Sequence, residues 1–260
     1  MCDILMLVSV LASGSKGNST YVKTSHHELL IDAGCTMNYV NEKLIENNTC
    51  LDNIEYIFIT HTHTDHVSSI KNIVKKYHPT LILTIPMLED LPYLKTYEKI
   101  ILLEDDMIID DLLIENIKTS HDTSDSRGYI ITENNNSVVQ ITDTGYLNQK
   151  YFNKLKNKTI YVFESNHNAD MLLNGRYPGW LKRRVASDKG HLSNESSAFY
   201  LSKIIGNDTK EIILAHLSEE NNTPQIALET LKNEFKDHEI EFDNIVIAKQ
   251  NEISGNIEVW

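Results

Sequence analysis

The residues best suited to chemistry in this chain stand in the stretch HTHTDH at 61–66, directly after the apolar run YIFIT. Three of the 11 histidines of the chain fall within these six positions. Histidine titrates near neutral pH and its ring nitrogens need partners, so a cluster of this kind is costly without a purpose. One interpretation is a polar loop that happens to be rich in His and Thr. The other is a metal site.

The spacing inside this cluster favours the metal site. In extended chain, His61 and His63 project to the same side and are placed to bind one ion. Asp65 and His66 follow at the start of a segment in which apolar residues recur at helical spacing from position 67 to position 77. One cluster therefore predicts ligands for two ions, with other segments completing each set. Imidazole together with carboxylate suits zinc, manganese or iron.

Short β-prone runs separated by polar turns make up most of the chain, and their Ile, Val, Tyr, Phe and Thr content predicts strands. Several of these runs end close to a residue that can bind a metal. Strands packed in sheets bring such ends together even when the residues are far apart in sequence, so we expect a two-metal site at one edge. The residues at these ends are Asp32, His61, His121, Asp143 and His216.

The remaining patterns predict one domain, residues 1–260, of two sheets flanked by helices. A helix is expected to begin near Ser193, and another to run from Pro224 to Phe235. The stretch NNN at 134–136 predicts a hairpin tip. We find no internal repeat, low-complexity tract or interdomain linker in the sequence.

Composition is ordinary for a soluble globular protein, with 41% hydrophobic and 23% charged residues. No apolar run approaches the ~20 residues of a membrane span, and the apolar start of the chain lacks the basic residues of a secretory signal. Cys2, Cys35 and Cys50 lack zinc-finger spacing and predict no disulfide framework, so we expect a cytoplasmic location. The net charge of −13 argues against a nucleic-acid partner unless bound metal and a basic segment reverse the local field.

A basic segment of this kind lies at 176–191, RYPGWLKRRVASDKGH, where five Lys or Arg face one acid. Such a run is often a solvated face balanced by nearby acids. This one leads directly into His191, and Tyr177 and Trp180 offer surfaces on which single-stranded bases can stack. We therefore expect it to line a nucleic-acid channel. The expected phosphate contacts are Lys182, Arg183 and Arg184.

The stretch HTHTDH fits the H-x-H-x-D-H signature of the metallo-β-lactamase superfamily, and the other strand-end residues fall in the order of its remaining motifs. The resemblance implies an α/β protein with a four-layer αβ/βα sandwich, in which two mixed β-sheets are flanked by helices. This fold hosts hydrolases, nucleases and oxidoreductases, so it implies no single reaction.

A narrower resemblance covers nearly the whole chain. The segments VSVLASGSKGNSTYV, LIDAG, ITDTGY, FESNH, GRYP, KRR, GHLSNE and LAHLS together look like the YycJ/WalJ group of bacterial proteins. That group is thought to act as metal-dependent nucleases on DNA. The resemblance implies a DNA exonuclease with two divalent ions per chain, Mn²⁺ or Zn²⁺, with iron also possible.

The same resemblance assigns the ligands residue by residue. The first ion takes His61, His63 and His121, and the second takes Asp65, His66 and His216. Asp143 bridges the two ions, and Asp32 supports the histidine cluster from behind. Asp65 is expected to act in catalysis as well as in metal binding.

The implied reaction is in-line displacement at a phosphodiester, in which two ions about 3.5–4 Å apart share a hydroxide and clamp the phosphate oxygens. The leaving oxygen then needs a proton. His191 is the expected donor, placed like the acid-donating His of related tRNA-processing nucleases; the alternative is that it caps or packs beside the following helix. Asn166 and His167 are expected to contact phosphate, and Glu164 to be a buried support.

Several other functions stay open on the sequence. They are a small-molecule (cyclic) phosphodiesterase, an RNA-processing nuclease, a thioester or lactam hydrolase, a metal-binding accessory protein without activity, and an oxygen-reducing di-iron module. Asp65 argues against a lactamase, the basic segment favours a polymeric phosphate, and no flavin-binding segment accompanies the motifs. The native metal, the choice of DNA or RNA, the mode and polarity of digestion, the biological pathway and the oligomeric state are not determined by the sequence.

Overall fold

Strands form where the sequence is rich in Ile, Val, Leu and Tyr, and they assemble into two seven-stranded sheets. The computed structural model describes residues 6–259, apart from the side chains of 256–258, so Cys2 lies outside the described residues. The first sheet contains, in spatial order, β14 (Ser254–Val259), β1 (Met6–Ala12), β2 (Ser19–Thr24), β3 (Glu28–Ile31), β4 (Tyr56–Phe58), β5 (Thr80–Leu83) and β6 (Ile100–Leu102). The second contains β13 (Ile245–Ile247), β12 (Glu211–Ala215), β11 (Ile160–Glu164), β10 (Asn136–Ile141), β9 (Arg127–Glu133), β8 (Leu112–Lys118) and β7 (Met107–Ile109).

Both sheets are mixed, and they are built alike. Strands β14, β1, β2 and β3 pair antiparallel, whereas β3, β4, β5 and β6 pair parallel. In the second sheet β7 to β10 pair antiparallel and β10 to β13 parallel. Because parallel neighbours end at the same edge, the residues that follow β3 and β4, and those that follow β10, β11 and β12, are gathered at one side of each sheet.

Helices cover the outer face of each sheet. They are α1 (Met37–Glu46), α2 (Thr64–Val67), α3 (Ile70–Lys76), α4 (Ile85–Asp90), α5 (Phe152–Leu155), α6 (Ala169–Asn174), α7 (Gly179–Val185), α8 (Asn194–Ile204) and α9 (Pro224–Asp237). Short 3₁₀ turns occur at Leu51–Asn53, Pro92–Leu94 and Gln149–Tyr151. In the part of the chain from 6 to 259, no helix has both the length and the apolar character needed to cross a bilayer.

Three apolar cores divide these elements into four layers. The central core lies between the sheets and contains fully buried side chains such as Phe58 and Val162. Leu44 and Ile73 pack beneath the first sheet, and Phe235 packs with others beneath the second. Each such side chain contributes about 1.5–3 kcal/mol on burial. The predicted four-layer αβ/βα sandwich is therefore confirmed.

The helix expected from position 67 to 77 is interrupted. The chain forms α2 and α3 instead, separated by Ser68 and Ser69. The Ser69 hydroxyl donates to the Ala33 carbonyl at 2.8 Å, and the Ser68 hydroxyl donates to the Gly34 carbonyl at 2.6 Å. These bonds tie the break to the loop after β3, because serine hydroxyls compete with the helix for backbone partners.

Three other local predictions are confirmed. The helix α8 begins after Ser193, whose hydroxyl accepts the Ser196 N–H at 3.1 Å. The helix α9 begins at Pro224, as expected, and ends two residues beyond Phe235. The hairpin between β9 and β10 turns within the NNN stretch.

Candidate metal centre

The ends of four strands meet at one edge of the sandwich. Asp32 follows β3, His61 follows β4, Asp143 follows β10 and His216 follows β12. Asp32, Asp143 and His216 have left-handed backbones, with φ of 61°, 57° and 58°. This conformation costs most residues roughly 1–2 kcal/mol, and Asp less. Such strain is typical of positions where the chain must turn a side chain into a site.

The first cluster contains His61, His63 and His121, whose candidate ligand atoms all lie within 4.8 Å of one another. The Nε2 atom of His61 is 3.1 Å from Nδ1 of His63. The Nδ1 atom of His121 lies 3.1 Å from the Gly190 carbonyl oxygen, to which it donates. That bond leaves Nε2 of His121 to face the cluster. These three side chains are the set expected for the first ion.

The second cluster contains Asp65, His66 and His216, again with candidate ligand atoms within 4.8 Å. Asp143 stands between the two clusters. Its Oδ2 atom is 3.3 Å from Nε2 of His66, and its Oδ1 atom is 3.5 Å from Nε2 of His216 and 3.8 Å from Nε2 of His121. The Asp143 carboxylate therefore reaches ligand atoms of both sets, as a bridging residue must.

A buried hydrogen-bond network holds His61 and His66 in one tautomer. The Asp32 carboxylate accepts the Thr60 hydroxyl at 2.7 Å and lies 2.7 Å from Nδ1 of His66. Having given its proton to Asp32, the Thr60 oxygen is free to accept from Nδ1 of His61 at 3.1 Å. Both rings therefore present Nε2 to the clusters. Fixing the outer nitrogen in this way orients a metal-binding histidine and raises its basicity.

On the opposite side of the site, Glu164 orients His191 and His216. It is fully buried, and its Oε1 atom lies 2.7 Å from Nδ1 of His191 and 3.3 Å from Nδ1 of His216. Its Oε2 atom accepts the backbone N–H groups of Thr144 and Leu192 at 2.9 and 3.3 Å. Burial raises the carboxyl pKa, but the charge and hydrogen bond of His191 outweigh burial and bring the pKa to about 2.

The carboxylates and imidazoles of the site shift one another's proton affinity. Burial opposes ionisation of Asp143, but the charges of His216 and His66 hold its pKa well below the usual range. Burial likewise lowers the pKa of His216, yet Asp143 and Glu164 raise it to about 9. In His66 burial is outweighed by Asp32 and Asp143, and its pKa lies well above the ordinary value. The site thus concentrates negative charge that positive partners must balance.

Divalent ions suit this donor set. The Oδ2 atom of Asp143 and the Nε2 atom of His216 are buried and have no hydrogen-bond partner within residues 6–259. An unpaired buried polar group costs about 1–3 kcal/mol, and a cation placed between these donors removes that cost. Imidazole nitrogens and carboxylate oxygens are ordinary ligands of zinc, manganese and iron. The residues therefore fit a divalent-metal centre, while each individual ligand assignment stays a prediction.

Two expected substrate contacts need correction. The Asn166 amide is buried and donates to the backbone oxygen of His216 at 2.8 Å, so it supports a candidate ligand and is not free to meet phosphate. His167 is only 3% exposed, which removes it from direct contact with a polymer. The alternative that His191 caps the next helix is also wrong, since Ser193 is the cap.

Two side chains near the clusters were not identified from the sequence. The Asn18 amide nitrogen lies 2.9 Å from Nε2 of His66, and its oxygen accepts the Gly14 N–H at 2.8 Å. Asp122 places Oδ1 3.5 Å from Nε2 of His121. The signals were present, since Asn18 belongs to the SGSKGN segment and Asp122 follows His121 directly.

Part of the basic segment forms α7, a helix with no buried residue that reaches the site through the ion pair of Arg184 with Asp122. Trp180 is 62% exposed and Arg183 is exposed. The Lys182 ammonium donates to the Leu173 carbonyl at 2.7 Å, and the Arg184 guanidinium pairs with Asp122 at 2.6 Å. Of the three cations expected to bind phosphate, Lys182 and Arg184 are therefore bonded to other groups of the protein, and Arg183 is exposed.

Comparison with known proteins shows the family of this chain. Residues 12–216 match the family model of the metallo-beta-lactamase superfamily. The chain is 36% identical over 241 residues to Exodeoxyribonuclease WalJ of Streptococcus pneumoniae, covering 90% of each chain. It is 35% identical over 224 residues to Exodeoxyribonuclease YycJ of Bacillus anthracis, covering 84% of this chain and 85% of the relative.

Solved structures share the fold at lower identity. The metallo-beta-lactamase fold protein YhfI from Bacillus subtilis matches with a TM-score of 0.72 and 19% identity, covering 96% of this chain and 99% of its own. A diphosphatase from the PhnP family matches with a TM-score of 0.67 and 13% identity, covering 98% and 100%. With the family model, the close relatives and the two-sheet fold in agreement, this chain belongs to the metallo-β-lactamase superfamily and, within it, to the WalJ/YycJ group.

Proposed function

We propose that this protein is a DNA exonuclease that depends on two divalent metal ions. The observation that carries the proposal is the pair of clusters joined by Asp143 at the edge where the basic helix α7 also lies. Relatives that are 35 and 36% identical over most of the chain are named exodeoxyribonucleases, which supports DNA as the substrate. Proteins of the superfamily use divalent metals. Mn²⁺ and Zn²⁺ are the ions proposed here, with iron a further candidate.

The residues that would hold the ions are those of the two clusters. The first ion would take His61, His63 and His121; the second would take Asp65, His66 and His216; Asp143 would contact both. Bound divalent ions supply Lewis-acid activation of a phosphodiester and of the attacking water. Asp65, only partly buried, lies on the open side of the second cluster and is proposed to face the substrate.

His191 is proposed to protonate the leaving oxygen. Its Nδ1 atom is held by Glu164 at 2.7 Å, so Nε2 is the nitrogen directed away from that support. Its ring packs against His121 and His216 with centroids 5.1 Å from each, so it lies against a candidate ligand of each cluster. A partly exposed histidine that is held by a carboxylate on one side can give a proton to a departing group from its other side.

DNA is proposed to reach the site along α7. The exposed Arg183, unpaired within the described part of the chain, can neutralise phosphate charge, and Trp180 offers a surface on which an unpaired base can stack. This local positive surface answers the objection raised by the net charge of −13, because a binding field depends on where charges lie more than on their sum.

The test uses purified protein with Mn²⁺ and five substrates: end-labelled single-stranded DNA, double-stranded DNA and RNA, a cyclic nucleotide, and bis-p-nitrophenyl phosphate. Progressive shortening of DNA from an end is expected. Preference for RNA would indicate an RNA-processing nuclease, and hydrolysis of the small diesters alone would show that the nuclease proposal is wrong.

Substituting His191 by Ala separates binding from chemistry. DNA affinity should survive while the rate of DNA cleavage falls by about 10²–10⁴, the usual contribution of a general acid. A diester with the good leaving group p-nitrophenolate needs little protonation and should lose much less. Equal losses on both substrates would show that His191 supports the fold or the metals instead.

A further inference from the structure

Arg184 is engaged differently from its neighbour on α7. Its Nε atom donates to Oδ2 of Asp122 at 2.6 Å. Arg183, in the same turn of the helix, has no hydrogen-bond or ion-pair partner among the residues that the structure describes. The two arginines therefore carry equal charge on one short helix, but only Arg184 is paired with a carboxylate.

The Asp122 carboxylate faces the first cluster with its other oxygen. Oδ1 lies 3.5 Å from Nε2 of His121 and 3.9 Å from Nε2 of His63. Asp122 is about one-third exposed, and without a partner its side chain would be free to turn toward water. The Arg184 guanidinium removes that freedom and offsets one negative charge at a site that already holds Asp143.

A second contact joins the same segment to the same cluster. The Gly190 carbonyl accepts Nδ1 of His121 at 3.1 Å, and the next residue, His191, donates its backbone N–H to the Val185 carbonyl at the end of α7. A side chain at Gly190 would overlap the Val185 and Arg184 carbonyls, so this approach needs glycine. The segment from α7 to His191 is thus fastened to the cluster at two points.

We infer that Arg184 is a positioning residue: it holds the Asp122 carboxylate beside the Nε2 atoms of His121 and His63 and fixes the basic helix against the first metal cluster, and it is not one of the phosphate contacts. The inference rests on the metal-binding part of the proposed function. Groups that surround the ligands of a metal and hold them in place typically change metal affinity or activity by about 10–100-fold when removed. Arg184 acts one step further out, by holding the Asp122 carboxylate in place.

The test compares Arg184→Gln with the matched variant Arg183→Gln, which removes the same charge from the same helix. Zn²⁺ affinity is measured by competition with a chromophoric chelator, in the absence of DNA. Arg184→Gln should weaken Zn²⁺ binding at one of the two metal positions about 10-fold or more. Arg183→Gln should leave the Zn²⁺ affinity of both positions unchanged. The visible spectrum of the Co²⁺-loaded protein should change for Arg184→Gln alone, and Arg184→Lys should restore part of the affinity.

DNA binding is expected to show the opposite pattern. Arg183→Gln should lower affinity for single-stranded DNA and reduce the slope of log affinity against log salt by roughly one. The double variant Asp122→Asn with Arg184→Gln should lose no more Zn²⁺ affinity than the more affected of the two single variants. Both substitutions break the same Arg184–Asp122 ion pair, so their effects should not add. Thermal unfolding of each metal-free variant shows whether the fold is intact.

The inference is overturned if Arg184→Gln binds Zn²⁺ as the unsubstituted protein does, or if it reduces the salt slope as Arg183→Gln does. It is also overturned if Arg184→Gln and Arg183→Gln give the same Co²⁺ spectrum. A protein that binds both ions and cleaves no DNA would instead refute the proposed nuclease while leaving these metal affinities as a valid test. An unsubstituted protein that binds no divalent ion would refute both.

Discussion

The Glu164→Gln substitution should destabilise the metal-free protein by about 3 kcal/mol at pH 7. The carboxylate of Glu164 faces four donors at once: two backbone N–H groups on Oε2 and the Nδ1 atoms of two histidines near Oε1. Glutamine has one oxygen and one amino group, so in either orientation its N–H₂ faces donors. At least two buried donors lose their acceptor, at about 1–3 kcal/mol each.

The proton affinity of Glu164 leads to a similar magnitude. Its pKa is about 2 instead of the ordinary 4.5, and each pKa unit corresponds to about 1.4 kcal/mol, giving about 3 kcal/mol in all. Because the folded-state pKa is lowered, this stabilisation is fully present above pH 4.5 and is lost as the pH falls toward 2. The gap between Glu164→Gln and the unsubstituted protein should therefore narrow on acidification through that window.

The free energy of unfolding is measured by urea titration followed by circular dichroism, on metal-free protein, since bound ions would add their own binding free energy. The control is Glu220→Gln, at an exposed position, where a change within about 0.5 kcal/mol is expected. If Glu164→Gln also stays within about 0.5 kcal/mol at pH 7, the four-donor description of this carboxylate is refuted.

Three further predictions concern other residues of the protein. His63→Ala should lower the metal content from two ions per chain toward one, measured by elemental analysis, and abolish nuclease activity. Gly34→Ala should lower activity at least about tenfold, because a Cβ there would overlap the Asp65 backbone carbonyl and displace a candidate ligand. Burial raises the pKa of Glu211 to about 7; since this carboxyl binds its proton more tightly when folded, its ionisation destabilises the protein as the pH rises from 4.5 through 7. Glu211→Gln should therefore gain about 1–3 kcal/mol in unfolding free energy at pH 8 and little at pH 4.

Each of these has a control or a contrary outcome. If His63→Ala still bound two ions per chain, His63 would not be a ligand of the first ion. The control for Gly34→Ala is Gly179→Ala, which adds a methyl group 3.5 Å from the nearest side-chain atom and should retain activity. If both variants lost activity equally, overlap with the Asp65 carbonyl would not be the cause. A Glu211→Gln protein whose stability follows the unsubstituted protein across pH 4–8 would show that this carboxyl titrates normally.

Much of this protein was determined by local sequence. The side-chain types and spacing in HTHTDH identified His61 and His63 as partners, because residues two apart in extended chain share a side whatever surrounds them. Strand positions and the starts of α8 and α9 followed from composition and capping, which depend on a few neighbouring residues. The resemblance carried by the motifs then implied the fold, which the two mixed sheets and their helices confirmed.

Contacts between distant segments were decided by the tertiary structure alone. Arg184 looked like a phosphate contact within a basic run, yet it pairs with Asp122, 62 residues away. Asn166 looked available to substrate at a strand end, yet its amide is used to hold His216, 50 residues away. A cation or an amide can bond to any suitable partner within reach, and sequence spacing does not show which partner the packing of two sheets brings there.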